Sequence, residues 1–140
     1  MVGFSAKSNR MASDDRSFDV AQTTAPPLAP DQQAIDLTQL ARMTLGEHSL
    51  EQEVLALFDL QAGILIARMR HEAPNAVAGL AHTITGSARG VGAWNVATAA
   101  ETVERLACGP DAAALTAAMS RLSTAVAEAR TAIAELLSAR

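Results

Sequence analysis

His82 stands in a setting that suits chemistry at an imidazole. Asn75 to Gly92 reads as a helix in which Val77, Leu80, Ala81, Ile84, Ala88 and Val91 recur at helical spacing, forming one apolar stripe. His82 falls roughly 140° from the middle of that stripe and faces water. Its neighbours on the helix surface are the residues three and four positions away: Ala78, Gly79, Thr85 and Gly86. Two are glycines, and a glycine inside a helix costs about 1 kcal/mol relative to alanine. Clearance is the simplest reason, because bare backbone around the imidazole lets another protein approach it closely. A neutral imidazole is a good nucleophile, and histidine can carry a covalent intermediate. A phosphohistidine is labile and can pass its group on, and phosphoryl transfer needs mainly alignment and charge stabilisation. The sequence has no acidic cluster to hold Mg2+ and no Gly-rich phosphate loop with its Lys, so the chain is not expected to bind and cleave ATP itself. Against all this, an exposed helical histidine is more often a plain surface residue.

The stretch from His82 to Glu104, HTITGSARGVGAWNVATAAETVE, resembles the histidine-containing phosphotransfer (HPt) domains. That family's pattern is a His, often a Lys three residues on, a Gly four on and Gly-Ala ten on, followed by apolar, Ala and apolar-Glu positions at helical spacing. His82, Gly86, Gly92-Ala93, Val96, Ala100 and Val103-Glu104 match it. Thr85 departs from it, standing where the Lys is usual. The resemblance implies a stoichiometric carrier, not an enzyme, with His82 as the phosphoacceptor. It implies exchange of the group with receiver-domain aspartates, or passage from a sensor histidine kinase to a response regulator. It implies no cofactor in this chain, with Mg2+ held by the partner receiver. A monomer is the expectation, because His82 must stay open. Thr85, Gly86, Arg89 and Gly79 are the supporting candidates. Gly86 gives clearance or, alternatively, serves helix packing. Thr85 offers a hydroxyl in place of a charge. Arg89 lies two turns from His82 on the same face, where it either attracts a phosphoryl group or is simply solvated. Arg68 or Arg70 joins it if the preceding helix brings them close. Glu104 is read as structural, Trp94 as junction packing, and His48, His71 and Cys108 as bystanders. Two other readings stay open: an adaptor that docks receivers without efficient transfer, and a structural bundle that self-associates.

The elements that must hold His82 follow from periodicity and stop signals. Residues 1–31 are unperiodic and end in Pro26, Pro27 and Pro30, which reads as a flexible tail; 32–140 is the expected helical domain. Ile35 to Leu45 makes a short helix capped by Asp36 and ended by Gly46. Ser49 to about Glu72 follows, with Ser49 and Gln52 as a capping box. Its expected core stripe is Leu50, Val54, Leu57, Phe58, Leu65 and Met69, leaving Leu55, Leu60, Ile64 and Ile66 outside. That is more apolar surface than one bundle face requires. Pro74 opens the His82 helix, and Gly90 and Gly92 mark its end. Ala93 to Ala107 is the next helix, and Cys108-Gly109-Pro110 stops it. Asp111 caps the last, whose Leu115, Met119, Leu122, Val126, Ala129, Ile133 and Leu136 alternate spacings of four and three. The fold expected is all-α: an antiparallel four-helix bundle with a short extra N-terminal helix.

Composition agrees. Aromatic residues are 3% and tyrosine is absent, which favours close-packed Ala-, Leu- and Val-rich helices over a sheet. A net charge of −4 argues against nucleic acid as a partner, since phosphate neutralisation needs a basic face. One cysteine forms no internal disulfide framework and fits a reducing compartment. No run approaches the roughly eighteen apolar residues of a membrane span, and no apolar signal core is seen near Met1. A cytoplasmic chain is expected.

Overall fold

The computed structural model describes residues 33–139; the tail expected over 1–31 lies outside them. Five helices and no strand are found among the described residues: α1 (Leu37–Thr44), α2 (His48–Met69), α3 (Pro74–Val91), α4 (Trp94–Ala107) and α5 (Ala112–Ser138). Helix α2 packs on α3, α3 on α4, α4 on α5, and α5 back on α2. This closes a four-helix bundle, and α1 lies across α2 and α3. Side-chain pairings give the direction of the chain. Asp59 of α2 and Arg70 at its C-cap reach Arg130 and Ser123 of α5 in reverse order, so those two helices run antiparallel, as the short joints require of the consecutive ones. The expected architecture holds. No helix among the described residues is long and apolar enough to cross a membrane.

The helix ends show why the bundle closes as it does. Pro74 sits at the first turn of α3, where its missing N–H has no partner to lose. Asp111 caps α5 by accepting from the Ala114 N–H at 2.9 Å. Helix α2 starts one residue before Ser49, with Glu47 in the cap position and no side-chain hydrogen bond, so the Ser49 capping box does not form. The physical reason is the tight turn ahead of it. Glu47 N–H donates to the Thr44 carbonyl at 3.1 Å, so α2 follows almost directly on α1. Leu45 itself takes the left-handed conformation, at φ 55, ahead of Gly46 at φ 73. The turn expected at Gly46 therefore begins on a leucine that projects fully into solvent.

Helix α2 turns inward only part of the face expected: Phe58, Leu65 and Met69 are buried as expected and Val54 is half-buried, whereas Leu55 and Ile66, expected outside, are buried. Leu55, Phe58, Ala62, Leu65, Ile66 and Met69 are buried, while Leu50 and Leu57 are exposed with Leu60 and Ile64. The helix is apolar on two sides, and periodicity alone does not say which is inside. In α5, Leu122, Val126, Ala129 and Ile133 are buried as expected, with Leu115, Met119 and Leu136 half-buried against the core.

One knot joins three elements. Asp36 caps α1 by accepting from the N–H groups of Thr38 (3.0 Å) and Gln39 (3.2 Å). Its other carboxylate oxygen accepts from Trp94 Nε1 at 2.9 Å, and its own N–H donates to the Gly92 carbonyl at 2.8 Å. Gly92 has φ 80, and a Cβ there would stand 2.6 Å from the Asp36 carbonyl oxygen. Glycine is thus required twice, by backbone conformation and by close approach. The Trp94 N–H, helped by the Gln39 and Thr38 amides and by Arg42, holds the buried Asp36 carboxyl below its ordinary value of 3.8, against the desolvation of burial.

A native value lowered in this way stabilises the fold fully above the ordinary carboxylate range, and that contribution is lost as pH falls through the native value. Asp36→Ala should cost about 2–3 kcal/mol at pH 7, from a lost cap and an orphaned Trp94 N–H. Urea unfolding of both proteins at stepwise lower pH should show the gap shrinking below the ordinary value; a gap independent of pH would contradict this account.

Candidate functional site

Helix α3 is held by a buried stripe of Val77, Ala81, Ile84, Ala88 and Val91, and this turns His82 outward. Its side chain is 77% exposed. The α3–α4 hairpin turns at Gly92 and Ala93, and α4 returns along α3. Glu104 thereby reaches His82, with Nδ1 and the carboxylate oxygen 3.1 Å apart. A carboxylate only accepts, so Nδ1 carries the proton in this contact. The lone pair of the neutral ring is then on Nε2, the nitrogen farther from the backbone. One hydrogen bond fixes both the tautomer and the tilt of the ring. Glu104 was expected to be structural; the structure makes it the partner of His82. The clue in the sequence is that Glu104 lies about as far beyond the Gly92 turn as His82 lies before it.

Gly79 and Gly86 flank His82 on the same outer face, and both are exposed. A Cβ at either would meet nothing within 4 Å. No helix of the bundle presses on these two positions, so packing among the described residues does not account for Gly86. What their lack of side chains provides is open space around the imidazole.

Thr85 is not on that surface. It is 4% exposed, and its hydroxyl donates to the Ala81 carbonyl at 2.9 Å. The expectation of a surface hydroxyl free for a ligand is corrected. Position 85 lies on the wheel between the apolar stripe and His82, and α4 covers that flank. Arg89 is exposed, as expected, and its guanidinium engages Glu101, one turn before Glu104 on α4. Its backbone carbonyl accepts from Gln39 Nε2 of α1 at 3.2 Å. The structure thus gives α3 and α4 two rungs, His82 on Glu104 and Arg89 on Glu101. Arg70 is directed to Ser123 of α5, away from α3, and Arg68 is exposed on α2. Trp94 sits at the helix junction on Asp36, as expected. His48 opens α2 and His71 lies just beyond it. No group of three metal-ligating side chains comes together among the described residues.

An exposed helical imidazole, oriented by a carboxylate and ringed by bare backbone, is an arrangement suited to accepting a group from another protein. The Hpt domain family model matches residues 47–139. The chain belongs to the Hpt domain family. No curated protein and no solved structure matches it. Hpt domains are phosphocarrier modules of phosphorelays, where they interact with receiver domains and kinases. In this Hpt domain the match covers α2 to α5, so it includes the whole bundle, with Gly92 and Trp94 of the knot, and omits α1 and Asp36.

Two substitutions separate the neighbours of His82 by role. Thr85→Val keeps the shape and removes a hydroxyl that is already engaged, so transfer to His82 should be unchanged, with stability within about 1 kcal/mol. Glu104→Ala should slow transfer about 10- to 100-fold, the usual cost of losing the group that orients a functional imidazole. Nitrogen NMR of the ring should show the loss of the Nδ1–H preference in Glu104→Ala. Transfer that falls in Thr85→Val and not in Glu104→Ala would reverse the two roles.

Proposed function

We propose that this chain is a stoichiometric phosphoryl carrier that takes the group from a receiver aspartyl phosphate onto His82 and returns it to another receiver. Passage from a sensor histidine kinase to a response regulator uses the same site. The observation that carries the reading is the Nδ1 contact of His82 with Glu104, which frees Nε2 on an open face. In the step, the Nε2 lone pair attacks phosphorus. The N–P bond forms as the P–O bond to the aspartate breaks, and the aspartate leaves as a carboxylate. The Nδ1 proton stays between the ring and Glu104, so positive charge growing on the ring meets a fixed negative partner.

The receiver would bring Mg2+ and most of the charge stabilisation. Gly79 and Gly86 would let it come close. Arg89 is the nearby cation on the same face of α3, and its exchange of Glu101 for a phosphoryl oxygen would partly replace the Lys that Thr85 does not supply. The working unit is the helical part of the chain, 32–140, with 1–31 as a tail. The absence of a lysine at position 85 also supports a second reading, an adaptor that docks receivers and transfers poorly.

Incubation with a phosphorylated receiver decides between them. Acid-labile label should appear on the chain and vanish in His82→Gln, whose helical CD spectrum and melting temperature stay nearly unchanged. Label persisting on His48 or His71 in that variant would sink the assignment, and binding without label would favour the adaptor. Gly86→Leu removes a helix-weakening glycine at an open position, so its stability should be equal or higher by up to about 1 kcal/mol. Its transfer should be much slower, because leucine would obstruct the receiver. An unchanged rate in Gly86→Leu would show that clearance at this position does not matter.

A further inference from the structure

Helix α2 is apolar on two faces, and the bundle uses one of them. Leu55, Phe58, Ala62, Leu65 and Met69 step by three and four residues, and all are buried. A second series, Leu50, Glu53, Leu57, Leu60, Ile64 and Ala67, repeats that spacing on the outer side, and every member is exposed. Leu57 is 65%, Leu60 60% and Ile64 52% exposed. A helix on the surface of a bundle needs one apolar stripe. A sustained three-four alternation is the spacing that packs one helix along another. The outer series of α2 therefore has the form of a helix-pairing seam that no other helix in the described residues occupies.

We propose that its occupant is the same seam of a second copy of this chain, packed antiparallel about a twofold axis beside Leu60 and Gln61. The charges on the seam's flanks carry the choice. Glu53 and Arg68 are equidistant from that axis along α2, on opposite sides of it. An antiparallel pair sets Glu53 opposite Arg68 of the second copy, and twofold symmetry makes the contact twice. A parallel pair would set Glu53 against Glu53. Neither side chain makes a hydrogen bond or ion pair with the other described residues, so both charges are available. Between them, Leu57 meets Ile64 of the second copy, and Leu60 packs at the axis. A second copy thus brings both the matching spacing and the matching charges.

The pairing is compatible with an open phosphoacceptor. Gln61 of α2 hydrogen-bonds Ser87 on one flank of α3, while His82 leans the other way, onto Glu104 of α4. The expectation of a monomer rested on keeping His82 open, and this arrangement keeps both copies of His82 open. The result is a two-carrier assembly. Its existence does not depend on the carrier reading, because it is measured as mass.

The test is sedimentation equilibrium of the full chain over a wide concentration range. The expected result is a reversible dimer, twice the 14.6 kDa chain mass. Leu60→Glu buries a charge at the axis in both copies and should weaken association at least about a hundredfold, about tenfold for each copy. Arg68→Glu should weaken it about tenfold, and Glu53→Arg combined with Arg68→Glu should restore it. A chain that stays monomeric throughout overturns the proposal, as does a dimer indifferent to Leu60→Glu. Two monomeric outcomes would name a different occupant and equally overturn it. Dimerisation only after deletion of residues 1–32 would assign the seam to the chain's own N-terminal segment. Loss of receiver transfer in Leu60→Glu would assign it to the receiver.

Discussion

The turn at Gly92 is the constraint on which the site depends. A positive φ there ends α3 and sends α4 back along it, and only a residue without a Cβ fits beneath the Asp36 backbone. The contacts of His82 and Arg89 with α4 are a consequence of that return. Glu104 meets His82 because the two lie at similar distances on either side of the turn. Glu101, one turn nearer to it on the returning α4, engages the Arg89 guanidinium. Asp36 and Trp94 then fasten the outside of the turn, so the register of the hairpin is fixed where it begins.

The division of labour across α3 follows from a single wheel. One side, built of small and branched apolar residues, is buried against the bundle. The opposite side carries an imidazole between two glycines, with open space where their side chains would stand. Thr85 sits at the boundary and shows how narrow that boundary is. Three residues, less than one helical turn, separate a hydroxyl sealed against its own helix backbone from a ring that is mostly in water. A lysine at that boundary could run its stem along the flank and bring its charge to the surface; a threonine cannot. A positive charge at His82 would consequently have to come from residues farther along α3 or from another protein.

Much of this was legible in the sequence, and the misses share a cause. The bundle, the His82 face, the Asp36 and Asp111 caps and the Gly92 stop could all be read, because each is decided by residues close together in the chain. The inward face of α2 could be read only in part: its periodicity places Phe58, Leu65 and Met69 inward, but not Leu55 and Ile66. That helix has two apolar series of the same period, and choosing between them requires knowing where α3 and α5 lie. The burial of Thr85 required knowing that α4 crosses its flank. The role of Glu104 required the register of a hairpin. The Ser49 cap was overruled by the tight turn at Leu45 and Gly46, whose geometry starts α2 before the serine is reached. Local chemistry was legible wherever no other helix had a say.

The glycines of α3 have one more effect. A helix with Gly79, Gly86 and Gly90 along its outer face is a poor helix by itself, and most of its order is borrowed from α2, α4 and the knot at its end. His82 therefore has its setting only while the whole bundle is assembled. A partly unfolded chain would still display a histidine, but without a fixed tautomer, a carboxylate behind it or a clear approach. For the proposed carrier, fold integrity and competence to accept a phosphoryl group would thereby be one property, and a damaged chain would fall silent.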